Sequence, residues 1–371
     1  MKSKAMIQVD DRRIEADEVE IPRLGPENAL LRVEACGLCG SDVEQYRGAF
    51  TAKGLVQYPL IPGHEPVGII EELGAEAARA WGVKEGDRVA LEPHLSCGLC
   101  HLCLAGSYHL CKAVRSEGLP AYGYMPLTFG HGLWGGYGEY IHLHPRTIMH
   151  VIPDGIPLEM ATMYQALAAG VRWAVHVPET AMGDTVLILG CGQRGLGSVI
   201  ACREAGAGTI IVTGLAKDRH KLALAEALGA DHTIVVDRED TVARVMALTN
   251  GEGADVIVDV VPAAAHPIVH AIEVARLGAT IVIGGVKGRD TTVEIDTDKI
   301  LYKELVVKGV YSQGREAYEE SLRILSENRY DLGRLKTHRF ALDDAEQAIL
   351  TLGGEVEGEE AICVSLHPGG P

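Results

Sequence analysis

Nowhere in the 371-residue sequence is there a run of about 18 consecutive apolar residues, so a membrane-spanning helix is not expected to organise the chain. The opening Met1-Lys-Ser-Lys-Ala-Met-Ile-Gln-Val-Asp-Asp-Arg-Arg also lacks an apolar stretch of about 7–15 residues and a small-residue cleavage site, and the expected location is cytoplasmic. Basic residues are in deficit. Lys plus Arg total 34 against 51 for Asp plus Glu, and the net charge of −17 repels phosphate backbones and anionic bilayers, leaving neither nucleic acid nor a membrane as an expected partner. No internal repeat, low-complexity tract or Ser/Pro linker is visible. With 47% hydrophobic and 23% charged residues, the composition is that of a folded globular protein, and at about 100–200 residues per domain the length implies two or three domains.

The first third is punctuated by Gly and Pro between short β-type runs such as Ala29-Leu-Leu-Arg-Val-Glu-Ala and Pro66-Val-Gly-Ile-Ile, which predicts a mostly β domain. From about Val175 the texture changes. Six apolar segments beginning at Thr185, Thr209, Thr233, Val256, Ala279 and Leu305 alternate with helical patterns, predicting a doubly wound parallel sheet. Lys221-Leu-Ala-Leu-Ala-Glu-Ala-Leu-Gly reads as one of these helices, stopped at Gly229. Near the end, Ala361-Ile-Cys-Val-Ser-Leu could be a strand returning to the first domain.

Gly190-Cys-Gly192-Gln193-Arg194-Gly195 matches G-x-G-x-x-G, and it follows an apolar strand and opens a helix, where backbone N–H groups can approach a pyrophosphate. About 20 residues further on, where an NAD site carries an acid for the ribose, stands Gly214. Lys217 and Arg219 follow and could partner a 2′-phosphate, so the loop leans toward NADP over NAD; alternatively the two are a solvated first helical turn, or Asp218 reaches back to the ribose.

Nine cysteines need a reason in a reducing compartment. Cys97, Cys100, Cys103 and Cys111 lie on one short loop with the spacing of a closed all-sulfur zinc site. Gly37-Leu-Cys39-Gly-Ser41-Asp42 and Gly63-His64-Glu65 each set a metal-type ligand beside a carboxylate. Taken singly, Cys39 could equally be a small buried apolar residue and His64 a core histidine.

Together with Gly135-Gly-Tyr-Gly-Glu-Tyr140 and the glycine-rich turn, these motifs stand in the order found in the zinc-dependent medium-chain alcohol and polyol dehydrogenases, which the chain resembles over nearly its whole length. The resemblance implies an α/β fold: a GroES-like, mostly β catalytic domain (1–163 and 312–371) and a Rossmann domain (164–311) with a doubly wound parallel sheet. It implies two zinc ions, a structural one on the four cysteines and a catalytic one on Cys39 and His64, with Ser41 passing on the alcohol proton and Asp42 and Glu65 supporting or joining the metal shell. Members of the family are usually dimers or tetramers, so the resemblance implies a homodimer or homotetramer. Two residues depart from the family pattern. Glu44 stands where a histidine commonly ends the proton relay, and it could accept the proton or be an exposed acid. Gln165 falls at the third ligand position, which usually holds Cys, Asp or Glu.

The expected activity is interconversion of a small-molecule alcohol and an aldehyde or ketone by hydride transfer to or from NAD(P). A metal-independent double-bond reductase of the same fold and a non-enzymatic NADP-binding protein are the alternatives. The aromatic stretch Tyr122–Trp134 could wall a substrate pocket or pack a subunit contact.

Overall fold

The computed structural model describes residues 1–112, 121–288 and 291–370. Two compact units share them: Met1–Tyr164 with Leu322–Asn328 and Leu332–Pro371, and Gln165–Ser321 with Arg329–Asp331. No described helix is long and apolar enough to cross a membrane.

In the first unit the strand Ala29–Leu38 is the axis, buried at eight of its ten positions. It is buried because both its edges are paired. Glu65–Leu73 runs antiparallel along one edge, and the other is shared between Tyr140–Leu143 at the amino half and Cys363–His367 at the carboxyl half. The sheet continues outward through Arg88–Leu91 to Met149–Val151 on one side and through Lys336–Ala341 on the other. Register slips at Leu30/Leu31 and Val33/Ala35 bend the axial strand as β-bulges do, curling the sheet around two cores. One core gathers Leu31, Val33, Ile70, Val89 and Trp134, the other Met6, Cys36, Leu38, Tyr137 and Leu366. The strand foreseen near residue 361 is therefore present, and it closes the first unit.

The second unit is a wholly parallel sheet. Among the described residues its spatial order is His232–Val235, Thr209–Gly214, Thr185–Leu189, Ala254–Asp259, Ala275–Ile283, Val306–Gly309. Numbered along the chain this is 3-2-1-4-5-6, the order of dinucleotide-binding sheets, whose switch point lies between the first and fourth strands. All six strands read from the sequence are present, because fully buried runs such as Val186–Leu189 and Ile210–Val212 are covered on both faces. The helix Arg219–Ala227 ends just before Gly229, which takes φ +118°. The GroES-like and Rossmann expectations both agree with this architecture.

Candidate active site

Antiparallel pairing of Gly37 with Glu65 brings two strand ends side by side, and this register assembles the first cluster. Cys39 lies two residues beyond Gly37, at the start of the helix Gly40–Tyr46, and His64 directly precedes the paired Glu65. Ligand atoms of Cys39, His64 and Glu65 all fall within 4.8 Å of one another, and all three side chains are buried. Cys39 Sγ is 3.2 Å from His64 Nε2. A tetrahedral zinc ion with bonds of about 2.3 Å to sulfur and 2.0–2.1 Å to nitrogen would set these atoms roughly 3.5 Å apart, so the pair fits such an ion after a small adjustment.

Asp42 braces both ligands. Its Oδ2 accepts the backbone N–H of Cys39 at 2.8 Å while its Oδ1 lies 3.4 Å from His64 Nδ1. A carboxylate on Nδ1 turns Nε2 toward Cys39 as the nitrogen that could coordinate a metal. Burial works to lower the His64 pKa, but the negative potential of Tyr124, Asp42 and Cys39 outweighs it and holds the ring well above its ordinary value. Loading a cation there therefore displaces a proton. The approach also needs Gly63, at φ +92°, where a Cβ would stand 2.4 Å from a ring carbon of Tyr137.

Ser41 Oγ sits at the edge of this cluster, 2.7 Å from Cys39 Sγ and 3.3 Å from His64 Nε2. Tyr124 donates its hydroxyl toward Ser41 Oγ at 3.5 Å, and its ring tilts against His64 with centroids 5.2 Å apart. Sequence reasoning did not single out Tyr124. It stands in the aromatic stretch 122–134, whose Tyr122, Met125, Leu133 and Trp134 are buried in the two cores. Burial order within an irregular loop has no period to read. Glu44 is exposed and lies 3.6 Å from Arg47. Gln165 is buried and belongs to the second unit, in the helix Tyr164–Gly170.

The second cluster is the loop of four cysteines, whose sulfurs also lie within 4.8 Å of one another. Separations of 3.8 Å (Cys97–Cys103), 3.5 Å (Cys100–Cys103) and 4.0 Å (Cys100–Cys111) are far too long for disulfides. They bracket the edge of about 3.8 Å expected of sulfurs bound tetrahedrally at about 2.3 Å, so a zinc ion fits this loop as well. Backbone N–H groups of Leu99 and Cys100 hold the Cys97 thiol down at about 6, while burial pushes Cys103 up to about 12. The lobe is pinned to the sheet by buried Glu92, which accepts Tyr108 O–H at 2.7 Å through one oxygen and meets His150 Nε2 at 2.8 Å through the other.

In the second unit the glycine-rich turn follows Thr185–Leu189 at the switch point. Gly195 packs so tightly that a Cβ would stand 2.0 Å from the carbonyl oxygen of Gly190, whereas a Cβ on Gly192 would meet nothing within 4 Å. The first lets the helix Gln193–Glu204 start against the strand, and the second leaves open backbone for a pyrophosphate, so a dinucleotide fits. Arg194 lays its guanidinium over the Trp173 ring, 4.9 Å from the centroid. Gly214 ends the second strand and has a packing reason to be glycine, since a Cβ would lie 2.6 Å from Cys191 Sγ. Lys217 and Arg219 are exposed, and Asp218 pairs with Lys221 at 2.9 Å.

Comparison with known proteins bears on this geometry. Residues 25–154 match the model of the alcohol dehydrogenase GroES-like domain, and residues 195–327 that of the zinc-binding dehydrogenases. A protein of Mycobacterium tuberculosis described as a probable alcohol dehydrogenase is 39% identical over 367 residues, covering 98% of each chain. An erythritol/L-threitol dehydrogenase of Mycolicibacterium smegmatis is 32% identical over 369 residues, 96% of this chain and 95% of that protein. Among solved structures, an alcohol dehydrogenase of Thermotoga maritima superposes with a TM-score of 0.87 at 26% identity, covering 99% of each chain. A zinc-binding dehydrogenase of Sinorhizobium meliloti bound to NADP gives 0.85 at 28% identity, covering 99% of this chain and 100% of that one.

Proposed function

Because the chain belongs to the zinc-dependent medium-chain dehydrogenase family, we propose that Cys39, His64 and Glu65 hold a catalytic zinc ion and that Cys97, Cys100, Cys103 and Cys111 hold a structural one. The protein is an oxidoreductase that interconverts an alcohol and an aldehyde or ketone by hydride transfer to or from a nicotinamide dinucleotide. The observation that carries the assignment of the centre is the convergence of a thiol, an imidazole and a carboxylate, buried and braced by Asp42.

Zinc at that position supplies Lewis acidity, which lowers the pKa of a bound hydroxyl, and the nicotinamide supplies the hydride acceptor or donor. The chain's own residues do the rest. Asp42 orients His64 and fixes the Cys39 backbone, so the two ligands are in place before substrate arrives. Ser41 Oγ takes the proton that the substrate hydroxyl gives up while it releases its own proton toward solvent, and Tyr124 fixes the orientation of that serine hydroxyl. Glu44, on the same helix, is the exposed carboxylate available at the solvent end. In the second unit, Gly190, Gly192, Gln193, Arg194 and Gly195 form the pyrophosphate cradle.

NADP is the proposed cofactor. Gly214 leaves the strand end without a carboxylate, Asp218 is engaged by Lys221, and Lys217 and Arg219 remain in solvent to meet a 2′-phosphate. NADP in the Sinorhizobium relative supports the same choice. Replacing Lys217 and Arg219 together by Ala should lower kcat/KM for NADP about tenfold and leave NAD nearly unchanged. A tenfold preference of the parent protein for NAD would reverse this assignment.

The proposed state is a cytoplasmic homo-oligomer. Among the described residues the strand Val306–Gly309 has no partner along its outer edge, and it exposes Val306 and Val307, as Leu301 and Tyr302 are exposed just before it, an edge suited to a second copy. Light scattering after size exclusion checks it, with a monomer the contrary result. The function as a whole is tested by zinc analysis together with turnover of primary, secondary, polyol and aromatic alcohols with both cofactors. Zinc-free protein with full turnover would refute the metal assignment.

A further inference from the structure

The loops that follow the fourth and fifth strands of the parallel sheet are tied together by a buried ion pair. Asp259, the last residue of Ala254–Asp259, has a wholly buried side chain, and Lys287 Nζ reaches it at 2.7 Å with only 11% of its own side chain exposed. Each partner also holds Val261. Asp259 Oδ1 accepts the Val261 N–H at 3.0 Å, and Lys287 Nζ donates to the Val261 carbonyl. The Asp259 carbonyl receives the N–H groups of Gly284 and Gly285, both at 2.9 Å, and Ala263 N–H bonds to the Val286 carbonyl at 2.9 Å.

This knot adjoins the nucleotide turn. A Cβ built on Gly190 would be 3.1 Å from a Val261 methyl and 3.3 Å from a Val260 methyl, so Val261, which the ion pair grips, packs with its neighbour Val260 against the first glycine of the cradle. A buried ion pair adds little net stability compared with apolar residues of the same volume. It lies at the carboxyl ends of the fourth strand, which borders the switch point, and of its neighbour, the end of the sheet where a dinucleotide is held. We propose that Asp259 and Lys287 are positioning residues for the cofactor, locking Val260 and Val261 against Gly190 so that the glycine-rich turn is preformed for the dinucleotide. The inference rests on the second unit being the dinucleotide site.

The mechanism predicts a split between stability and affinity. Lys287→Met leaves the Asp259 carboxylate buried without its cation and should lower both. The double variant Asp259→Asn/Lys287→Met removes both charges, so it should regain most of the lost melting temperature. It should still bind NADPH about tenfold more weakly than the parent, because an unlocked turn spends less time in the competent form. Melting temperatures and NADPH dissociation constants from fluorescence titration, with no alcohol present, read both quantities. Parental affinity in the double variant, or unchanged affinity in Lys287→Met, would overturn the proposal. Absence of NADPH and NADH binding by the parent protein would instead overturn the dinucleotide site.

Discussion

The two sulfur-containing clusters of the first unit are built in opposite ways. The four-cysteine lobe takes every ligand from Cys97–Cys111, its donors are chemically identical, and three of its four cysteines are only half-buried. The Cys39, His64 and Glu65 cluster is buried, mixes three donor types, and exists only because two strands pair in the register of Gly37 with Glu65. A loop that carries all its ligands can be organised by the metal, whereas a cluster drawn from two strands is organised by the fold and keeps donors free for exchange. Breaking the first should therefore cost structure, and breaking the second should cost chemistry.

The largest expected effect is on chemistry. His64→Ala should lower kcat/KM by about three orders of magnitude or more, because the Lewis acid contributes several kcal/mol. Metal analysis should then find one zinc per chain with the melting temperature nearly kept. Loss of both ions would show that the clusters are not independent. Cys111→Ser should produce the converse, a fall in melting temperature of about 10 °C for a loss of several kcal/mol, with the surviving folded fraction still active at low temperature. Full stability in that variant would remove the structural role of the lobe.

Ser41→Ala sharpens the comparison within the catalytic cluster. It should reduce kcat for alcohol oxidation about 100-fold with zinc retained, and the loss should shrink as pH rises and solvent base replaces the hydroxyl. A loss independent of pH would point to a packing role. The smallest effect lies away from both clusters. Burial, helped by His142 and His144, pushes His131 down to about 3, and burial with His144 pushes His142 down to about 4. Unfolded histidine titrates near 6.5, so the unfolded chain takes up protons that the folded one refuses. Their contribution is complete above about pH 6.5 and is lost progressively as pH falls toward 4. Urea midpoints at pH 7 and 5 check this, and His142→Gln should flatten the difference. Parallel profiles for parent and variant would exclude these rings as its source.

Legibility in the sequence followed the range of the interaction. The six parallel strands and the glycine-rich turn could be read because burial on both faces and backbone geometry leave local signatures. The four-cysteine loop could be read from its spacing, whereas Cys39 and His64 were expected as ligands only through the resemblance of their motifs to the family. What was hidden depends on contacts between distant residues. Tyr124 reaches Ser41 across 83 positions, Glu92 joins Tyr108 to His150, and Lys287 meets Asp259, none with a local pattern to mark it. Gly214 shows the same limit, since the lack of a ribose carboxylate was readable but the crowding by Cys191 was not.

The pairing of Cys363–His367 with Ala29–Leu38 sets a timetable for synthesis. A nascent chain emerging from the ribosome presents the axial strand well before Cys363–His367, the neighbour for one edge of its carboxyl half, has been made. Residues Gln165–Ser321, nearly contiguous, can mature while that edge still waits. The strand that delivers Cys39 is thus left open along one edge through most of translation, and the sheet around Cys39, His64 and Glu65 is closed only when Cys363–His367 is threaded home.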